Sequence, residues 1–223
     1  MTMSIAARCP LTGMLGVAVA SSSIAVASRC ANVRAGAGAA LSQNVTDPSL
    51  GRRALDLMES GKRAQDVIEL FLREHPFMAW RQLVLVPVAG APAVYSGGRT
   101  LGISGESISG DCAAAGNLLA NAAVPAEMTR AFDQSRGHLA DRLLQALQAG
   151  LNAGGEAGPL HAAGLQVADK LCWPMVDLRV DWSDHPIAQL GSLWELYQPQ
   201  LDAYVQRAQF PDAAPAYGVA GDP

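Results

Sequence analysis

Lysine is nearly absent from this chain of 223 residues, and aromatic and charged residues are scarce. Lys62 and Lys170 stand among 16 basic residues, and the other 14 are arginines scattered along the chain. With a net charge of −4 and no basic stripe, the composition excludes a nucleic-acid-binding surface. Half of the residues are hydrophobic but only 5% are aromatic, and 40 are alanine. We therefore expect a core of small and aliphatic side chains in closely packed strands.

Metal motifs, disulfide motifs and membrane spans are also lacking. The cysteines form no CxxC pair, which argues against a zinc site or a redox motif; they are Cys9, Cys30, Cys112 and Cys172. The four histidines show no HxH or HExxH spacing, so no metal is expected. The GAG and GGEAG stretches match no P-loop or dinucleotide fingerprint, so no other cofactor is expected either. No apolar run reaches the ~18 residues of a membrane span, and the N-terminus does not resemble a secretory signal. We expect a cytoplasmic protein with a small-molecule substrate and no nucleic-acid or membrane partner.

The order of apolar segments predicts an α+β fold. Segments 3–8 and 14–20 flank Pro10 and Gly13 and predict an N-terminal hairpin. Helical spacing predicts helices over 48–60, 64–74, 124–134, 138–149 and 186–207. The remaining apolar segments predict a strand or strand pair over 33–45 and strands at 82–88, 92–96, 111–115, 163–169 and 175–181, with a loop over 97–110. We expect one domain over 1–209, with two sheets stacked between helical layers, and an extended Pro- and Ala-rich tail over 210–223.

Thr2 is the candidate nucleophile. A methionine followed by a small residue is normally removed, so the mature chain would begin with Thr2 at the start of a strand. The Thr2 hydroxyl would attack a carbonyl while its own α-amino group, with a pKa of roughly 7.7–8, takes the proton. The alternative is that Met-Thr carries no catalytic meaning. Ser21 and Ser22, at the end of the second strand, would hydrogen-bond the α-amino group or only form a turn.

Four further polar residues occur at predicted element ends. Asn117 is expected to start a helix, where it would either donate to an oxyanion or a substrate carbonyl or act as an N-cap. Gln43 and Asn44 end a strand and would contact substrate or form a turn. Arg81 opens a strand and would bind a substrate carboxylate or form a structural salt bridge.

The second half of the chain adds two pairs of candidates. Glu156 and His161 flank a Gly-Pro loop and are acid/base or substrate-binding candidates, or merely solvated loop residues. Asp177 and Arg179 alternate with apolar residues, which places both on one face of a strand. We favour a buried ion pair beneath the site for these two residues; the alternative is that they position the nucleophile.

A family resemblance extends over nearly the full chain. The stretch TMSIAARCPLTGMLGVAVASSS resembles the N-terminus of the family called domain of unknown function 1028, assigned to the Ntn-hydrolase-like (N-terminal nucleophile) superfamily. Further similar segments follow in order, among them AGAGAALSQNVTDPSLGRRALDLMESG, AAGNLLAN, GGEAGPLHAAGLQVAD and WPMVDLRVDWSDHPIAQL. The resemblance implies a four-layer αββα sandwich of two antiparallel sheets between helical layers. It also implies a C–N bond hydrolase of unknown substrate.

Two departures and two alternatives accompany this expectation. Ala162 stands where relatives often have serine, and the first lysine, Lys62, lies on a predicted helix, so a lysine-assisted mechanism is not expected. The leading hypothesis is an amidohydrolase acting on a small amide, ureide or lactam, with Asn117 and backbone N–H groups stabilising the oxyanion. The alternatives are a non-catalytic metabolite-binding scaffold and a peptidoglycan-related amidase. An apolar stripe with Trp194, Tyr197 and Tyr204 packs within the domain or forms a homodimer face.

Overall fold

The computed structural model describes residues 2–221, and within them the strands form two antiparallel sheets. The six-stranded sheet has the order β10-β9-β2-β1-β8-β7, and the four-stranded sheet has the order β3-β4-β5-β6. The strands are β1 (Thr2–Arg8), β2 (Leu15–Ser21), β3 (Ala31–Arg34), β4 (Gly38–Asn44), β5 (Arg81–Pro87), β6 (Ala93–Ser96), β7 (Gly105–Ile108), β8 (Cys112–Asn117), β9 (Ala162–Ala168) and β10 (Val176–Val180).

Helices cover the outer face of each sheet. The helices of the described residues are α1 (Ala27–Cys30), α2 (Pro48–Glu59), α3 (Ala64–Glu74), α4 (Val124–Gln134), α5 (Leu139–Asn152), α6 (Pro186–Tyr197) and α7 (Leu201–Gln209), of which α1 contributes to the cluster between the sheets. α4, α5 and α6 pack on the six-stranded sheet, whereas α2 and α3 pack on the four-stranded sheet. The predicted α+β arrangement of two antiparallel sheets between helices is confirmed. No helix within residues 2–221 is both long and apolar enough to cross a membrane.

Small side chains separate the two sheets. The buried cluster between them is built largely from alanine and valine, and its members include Ala6, Val17, Val19, Ala39, Val84, Ala113, Ala115 and Ala162. Larger residues such as Phe132 and Phe71 lie instead beneath the helices, in the two outer core layers. The high alanine content thus accounts for the narrow layer between the sheets, as the composition predicted.

The predicted N-terminal hairpin is confirmed and occupies the centre of the six-stranded sheet. β1 pairs with β2 on one side and with β8 on the other. Met3 and Ile5 contribute to the core beneath the helices, while Ala6 belongs to the cluster between the sheets. Because side chains alternate along a strand, the even-numbered residues of β1, beginning with Thr2, face the four-stranded sheet.

Three local predictions were wrong, each for an identifiable reason, and one short helix was not predicted. Asn117 is the last residue of β8 and pairs with Thr2, so it does not start a helix. Residues 105–108 form edge strand β7 inside the predicted loop, since pairing with β8 compensates for their glycine and polar side chains. The predicted long last helix is interrupted by a 3₁₀ turn at Gln198–Gln200, where Pro199 supplies no backbone N–H. The four-residue helix α1 was missed.

The last helices and the tail pack on the chain itself. Trp194 is buried and donates its Nε1–H to Asp141 at 2.7 Å, and Tyr197 donates to the Met175 carbonyl at 3.0 Å. In the tail, Pro211–Ala213 form a 3₁₀ turn, and the Arg207 guanidinium lies 3.9 Å from the centre of the Tyr217 ring. Residues 222 and 223 of the predicted tail lie outside the described residues. The homodimer remains a prediction.

The close approach of β9 to α1 generates a stability prediction. A Cβ at Gly164 would lie 2.3 Å from the Ala27 Cβ, which belongs to a rigid side chain, so Gly164→Ala forces backbone movement. We expect it to lower the free energy of unfolding by about 1–3 kcal/mol in urea titrations. Gly191→Ala on α6 is the matched control, because no atom lies within 4 Å of its Cβ. That helical position should gain up to about 1 kcal/mol. Equal effects of the two changes would contradict the prediction.

Candidate functional site

The candidate site lies where β1 begins, between the last residues of β2 and β8. Thr2 pairs with Asn117, and the pairing of Met3 with Ala20 places Ser21 opposite Thr2 on the other side. Ser21 and Asn117 have the same strand parity as residues of the inter-sheet cluster, so both side chains face the four-stranded sheet, as Thr2 does. Thr2 is 5% exposed, and Ser21 and Asn117 are fully buried. The structure therefore brings the three predicted catalytic residues together at one end of the space between the sheets.

A buried chain of hydrogen bonds joins the two sheets beside Thr2. Ser4 Oγ donates to Gln43 Oε1 at 2.6 Å, and Gln43 Nε2 donates to Gln82 Oε1 at 2.8 Å. Asn117 Nδ2 donates to the same Gln82 oxygen at 3.0 Å, while Gln82 Nε2 donates to Ser96 Oγ at 2.8 Å. Side-chain amides buried in an apolar layer need such partners. This series of hydrogen bonds fixes the orientation of the Asn117 amide.

A glycine-rich loop crosses the start of β1. Glu156 forms a β-bridge with Leu119, which follows β8, and its Oε2 accepts the Ser22 backbone N–H at 3.2 Å, just beyond β2. β1 lies between β2 and β8. A residue that contacts the segments following β2 and β8 therefore lies across the start of β1. Gly154 and Gly155 have φ values of +121° and +60°, which allow the loop to turn there.

Two buried acceptors at this end of β1 have no partner. Asn117 Oδ1 and Glu156 Oε1 are each without a hydrogen bond in the described part of the chain. Burial raises the pKa of Glu156 to about 7, although the charge of the chain's amino terminus and the Ser22 hydrogen bonds lower it. A buried acceptor without a donor is unfavourable. The start of β1 can therefore accommodate a hydrogen-bond donor or a cation beside these two oxygens.

Asn44 and Arg81, two predicted substrate-binding residues, make hydrogen bonds within the protein, although the buried Arg81 Nε has no partner in the described part of the chain. Asn44 Nδ2 donates to the Trp80 carbonyl at 2.7 Å, and its Oδ1 accepts the Leu101 N–H at 3.2 Å. Arg81 donates to the Val45 carbonyl and lies 3.9 Å from an Asp47 carboxylate oxygen. Both side chains hold the loops beside the four-stranded sheet.

His161 adjoins the site through its backbone. Its N–H donates to the Ser21 carbonyl at 2.9 Å, which ties the segment before β9 to the end of β2. The imidazole stacks on Trp182, with ring centres 4.3 Å apart, and its Nδ1 lies 3.6 Å from Asp184 Oδ1. The ring is therefore engaged with the segment that follows β10.

The expectation of a buried Asp177–Arg179 ion pair was wrong. Both residues are exposed on β10, the edge strand that β9 and β2 separate from β1. Arg179 pairs with Asp181 at 3.4 Å instead, with 42% and 50% of the two side chains exposed. Alternation predicted a common face correctly, but at the edge of the sheet this face is open to solvent.

Three residues of the buried chain were not predicted: Ser4, Gln82 and Ser96. A signal for the first two was present in the sequence, because Ser4 and Gln82 are polar residues inside or at the start of apolar strands. A polar residue on the buried face of such a strand requires a partner. Which partner it finds depends on the packing of the two sheets, which strand patterns alone do not specify.

Thr2 lines none of five surface cavities of about 250–360 Å³ in the described part of the chain. One of them, of about 360 Å³, lies beside the segment that leads to His161 and is lined by Pro159, Leu160 and Pro186, among others. Residues 2–221 hold no group of three or more His, Cys, Asp or Glu side chains arranged to bind a metal ion. The groups available at the candidate site are thus a hydroxyl, amides, a carboxyl and backbone N–H donors.

Two packed antiparallel sheets between helices, with a polar site at one end, define a layered α+β sandwich. The model of a family of unknown function, DUF1028, matches residues 2–190, and the chain belongs to this family. The crystal structure of protein SPO2555 from Silicibacter pomeroyi, assigned to the same family, is similar with a TM-score of 0.85 and 29% identity. The match covers 92% of this chain and 90% of that chain. No curated protein matches the chain.

The buried chain of hydrogen bonds generates the second prediction. Gln82→Met preserves the length of the side chain but leaves the donors of Gln43 and Asn117 without their acceptor. We expect a loss of about 2–4 kcal/mol in the free energy of unfolding, measured in urea. Gln145→Met on the exposed side of α5 is the control and should stay within about 0.5 kcal/mol of the parent protein. Matching losses in both variants would show that the buried amide is not special.

The carboxyl of Glu156 generates a pH-dependent prediction. Its pKa rises from an ordinary value of 4.5 to about 7, so between these values the folded chain keeps a proton that the unfolded chain has lost. The ionisation of Glu156 therefore lowers the free energy of unfolding as pH rises from about 4.5 to about 7. Above that range Glu156 causes no further change. In urea titrations from pH 4.5 to 8 on protein that retains Met1, the chain to which this pKa refers, Glu156→Gln should gain up to about 3 kcal/mol relative to the parent. Glu106→Gln, at an exposed position, is the control. Parallel stability curves for parent and Glu156→Gln would refute the prediction.

Proposed function

We propose that the protein is an N-terminal-nucleophile hydrolase that cleaves a C–N bond in a small amide, ureide or lactam. The observation that carries the proposal is the convergence of Thr2, Ser21, Asn117 and Glu156 at the start of β1. A hydroxyl on the first residue of a strand is here surrounded by hydrogen-bonding groups at the end of the inter-sheet space. Met1, whose removal the proposal requires, lies outside the described residues.

Removal of Met1 changes the chemistry of Thr2. While residue 1 is attached, the Thr2 nitrogen is an amide and has no basicity. A chain that begins with Thr2 has an α-amino group whose ordinary pKa, roughly 7.7–8, suits a general base near neutral pH. Nucleophile and base then belong to one residue, so no histidine or lysine partner is required. This fits a chain in which lysine is nearly absent.

The reaction follows from these groups. The α-amino group takes the proton of Thr2 Oγ1 as this oxygen attacks the substrate carbonyl, and the proton then passes to the leaving nitrogen as the C–N bond breaks. Water hydrolyses the resulting ester with the same amine as base. Asn117 Nδ2 carries two protons, and Gln82 accepts one of them, so the other is available to an oxyanion. Gln82 thereby positions Asn117 for this role.

The first test of the proposal is direct. Intact-mass measurement should show that Met1 is absent, and a panel of amides, ureides and lactams should yield a substrate. Thr2→Ala should then lose about a thousandfold or more in kcat/KM, because the nucleophilic hydroxyl is removed. Thr12→Ala, in the exposed turn between β1 and β2, is the matched control and should retain full activity. Retention of Met1 in an active protein, or full turnover by Thr2→Ala, would exclude the mechanism.

A blocked amino terminus tests the base separately from the hydroxyl. A fusion with a removable N-terminal extension keeps the Thr2 side chain but turns its nitrogen into an amide. This fusion should be inactive until proteolysis leaves Thr2 as the first residue. Equal activity before and after cleavage would show that the α-amino group is not the base.

A non-catalytic metabolite-binding protein on the same fold is the second candidate. It is favoured by the low exposure of Thr2, 5%. Under this hypothesis a small metabolite binds without turnover, and Thr2→Ala leaves its affinity unchanged. Calorimetry with parent and variant separates the two functions.

A further inference from the structure

We propose that Glu156 is a positioning residue that binds the α-amino group of the Thr2-initiated chain through its Oε1 and controls the protonation of that amine. The inference rests on the proposed function, since it requires a chain that begins at Thr2. It assigns to Glu156 a role toward the protein's own amino terminus, different from contact with substrate.

The strand register places the amine near this carboxyl. Ser21 and Asn117 flank Thr2. The residues that follow them, Ser22 and Leu118, therefore lie just beyond the start of β1. Ser22 donates its N–H to Glu156 Oε2 at 3.2 Å, and the Leu118 carbonyl accepts the Ala157 N–H at 2.9 Å. Glu156 thus reaches from the segment after β2 to the segment after β8, across the start of β1.

The loop holds Glu156 in place through its backbone. The Ala120 N–H donates to the Gly155 carbonyl at 3.0 Å, and the Gly155 N–H donates to the Gly150 carbonyl at 2.9 Å. These bonds join the loop to the segment after β8 and to the end of α5. A carboxyl held by backbone contacts on both sides of the loop loses little conformational entropy when it binds an amine.

The surroundings leave Glu156 available for an amine. Glu156 is 5% exposed, its Oε1 has no hydrogen bond in the described part of the chain, and no salt bridge joins it to a residue within 2–221. The titratable groups on the adjoining segments are His161 and Asp184, and they face each other at 3.6 Å. Asn117 Oδ1, also unpaired, gives the amine a second acceptor.

The role in the reaction concerns charge, and Glu156 exchanges no proton with substrate. When the α-amino group takes the proton of Thr2 Oγ1, it becomes an ammonium ion in a buried site. A nearby carboxylate stabilises this cation until its proton passes to the leaving nitrogen. Glu156 therefore acts on the amine through a negative charge, the opposite of what a lysine would supply.

The test measures the titration of the amine without any substrate. Trace acylation of the native protein with acetic anhydride across pH 5–10, followed by mass spectrometry of the N-terminal peptide, gives the pKa of the Thr2 amine. Removal of a neighbouring carboxylate destabilises the ammonium form, so Glu156→Gln should lower this pKa by about one unit. Glu156→Asp keeps the charge but moves it back by one methylene, and should give an intermediate value. Glu106→Gln is the exposed control and should leave the pKa unchanged. An unchanged pKa in Glu156→Gln would overturn the inference.

Activity measurements separate positioning from a merely structural role. In Glu156→Gln the acidic limb of kcat/KM should move to lower pH by the same amount as the amine pKa, with a reduced kcat. A variant that loses activity without moving this limb would count against the inference. If the panel yields no substrate, the proposed function fails while the amine titration still decides the role of Glu156. If the intact mass retains Met1, both fail, since no Thr2 amine exists.

Discussion

The pairing of β1 between β2 and β8 is the constraint on which the candidate site depends. Side chains alternate along a strand, so a slip of one residue in this register would turn Thr2 toward the helices and separate it from Ser21 and Asn117. The bond from Ser4 to Gln43 opposes such a slip, because it requires the even positions of β1 to face the other sheet. Ser4, which helps to fix the register, is therefore the next residue after Thr2 on the same face of β1.

The same constraint gives the composition a chemical meaning. Sheets that approach closely need small residues between them, and alanines from β1, β4, β8 and β9 meet this need. Such a layer has no room for a long basic side chain, and the lysines, Lys62 and Lys170, lie outside the strands. The polar atoms that do enter this layer are short hydroxyls and amides that satisfy one another. An amine contributed by the backbone itself introduces a base without a bulky side chain.

Local sequence patterns predicted the secondary-structure elements well, but they predicted poorly which of these elements lie side by side in the fold. The first hairpin followed from apolar runs around Pro10 and Gly13, and the position of Ser21 at a strand end followed from it. Asn117 was misassigned because Gly-Asn resembles a helix start, whereas its ladder with Thr2 joins residues more than a hundred positions apart. Glu156 was recognised as a loop carboxyl, but its place across β1 depends on contacts with two other segments. Long-range pairing decides such positions, and no short pattern records it.

Within residues 2–221, two buried acceptors beside the start of β1 lack a partner, which is costly for a structure that satisfies its other buried amides. An unmade hydrogen bond in a buried site costs about 1–3 kcal/mol, a sizeable part of the stability of a small domain. Asn117 is held in its orientation by Gln82, so its free oxygen results from a built arrangement rather than from loose packing. Glu156 is likewise held by Ser22 on one oxygen while the other stays open. Groups that are firmly positioned yet incomplete point to a missing donor, the role that we propose for an α-amino group on Thr2.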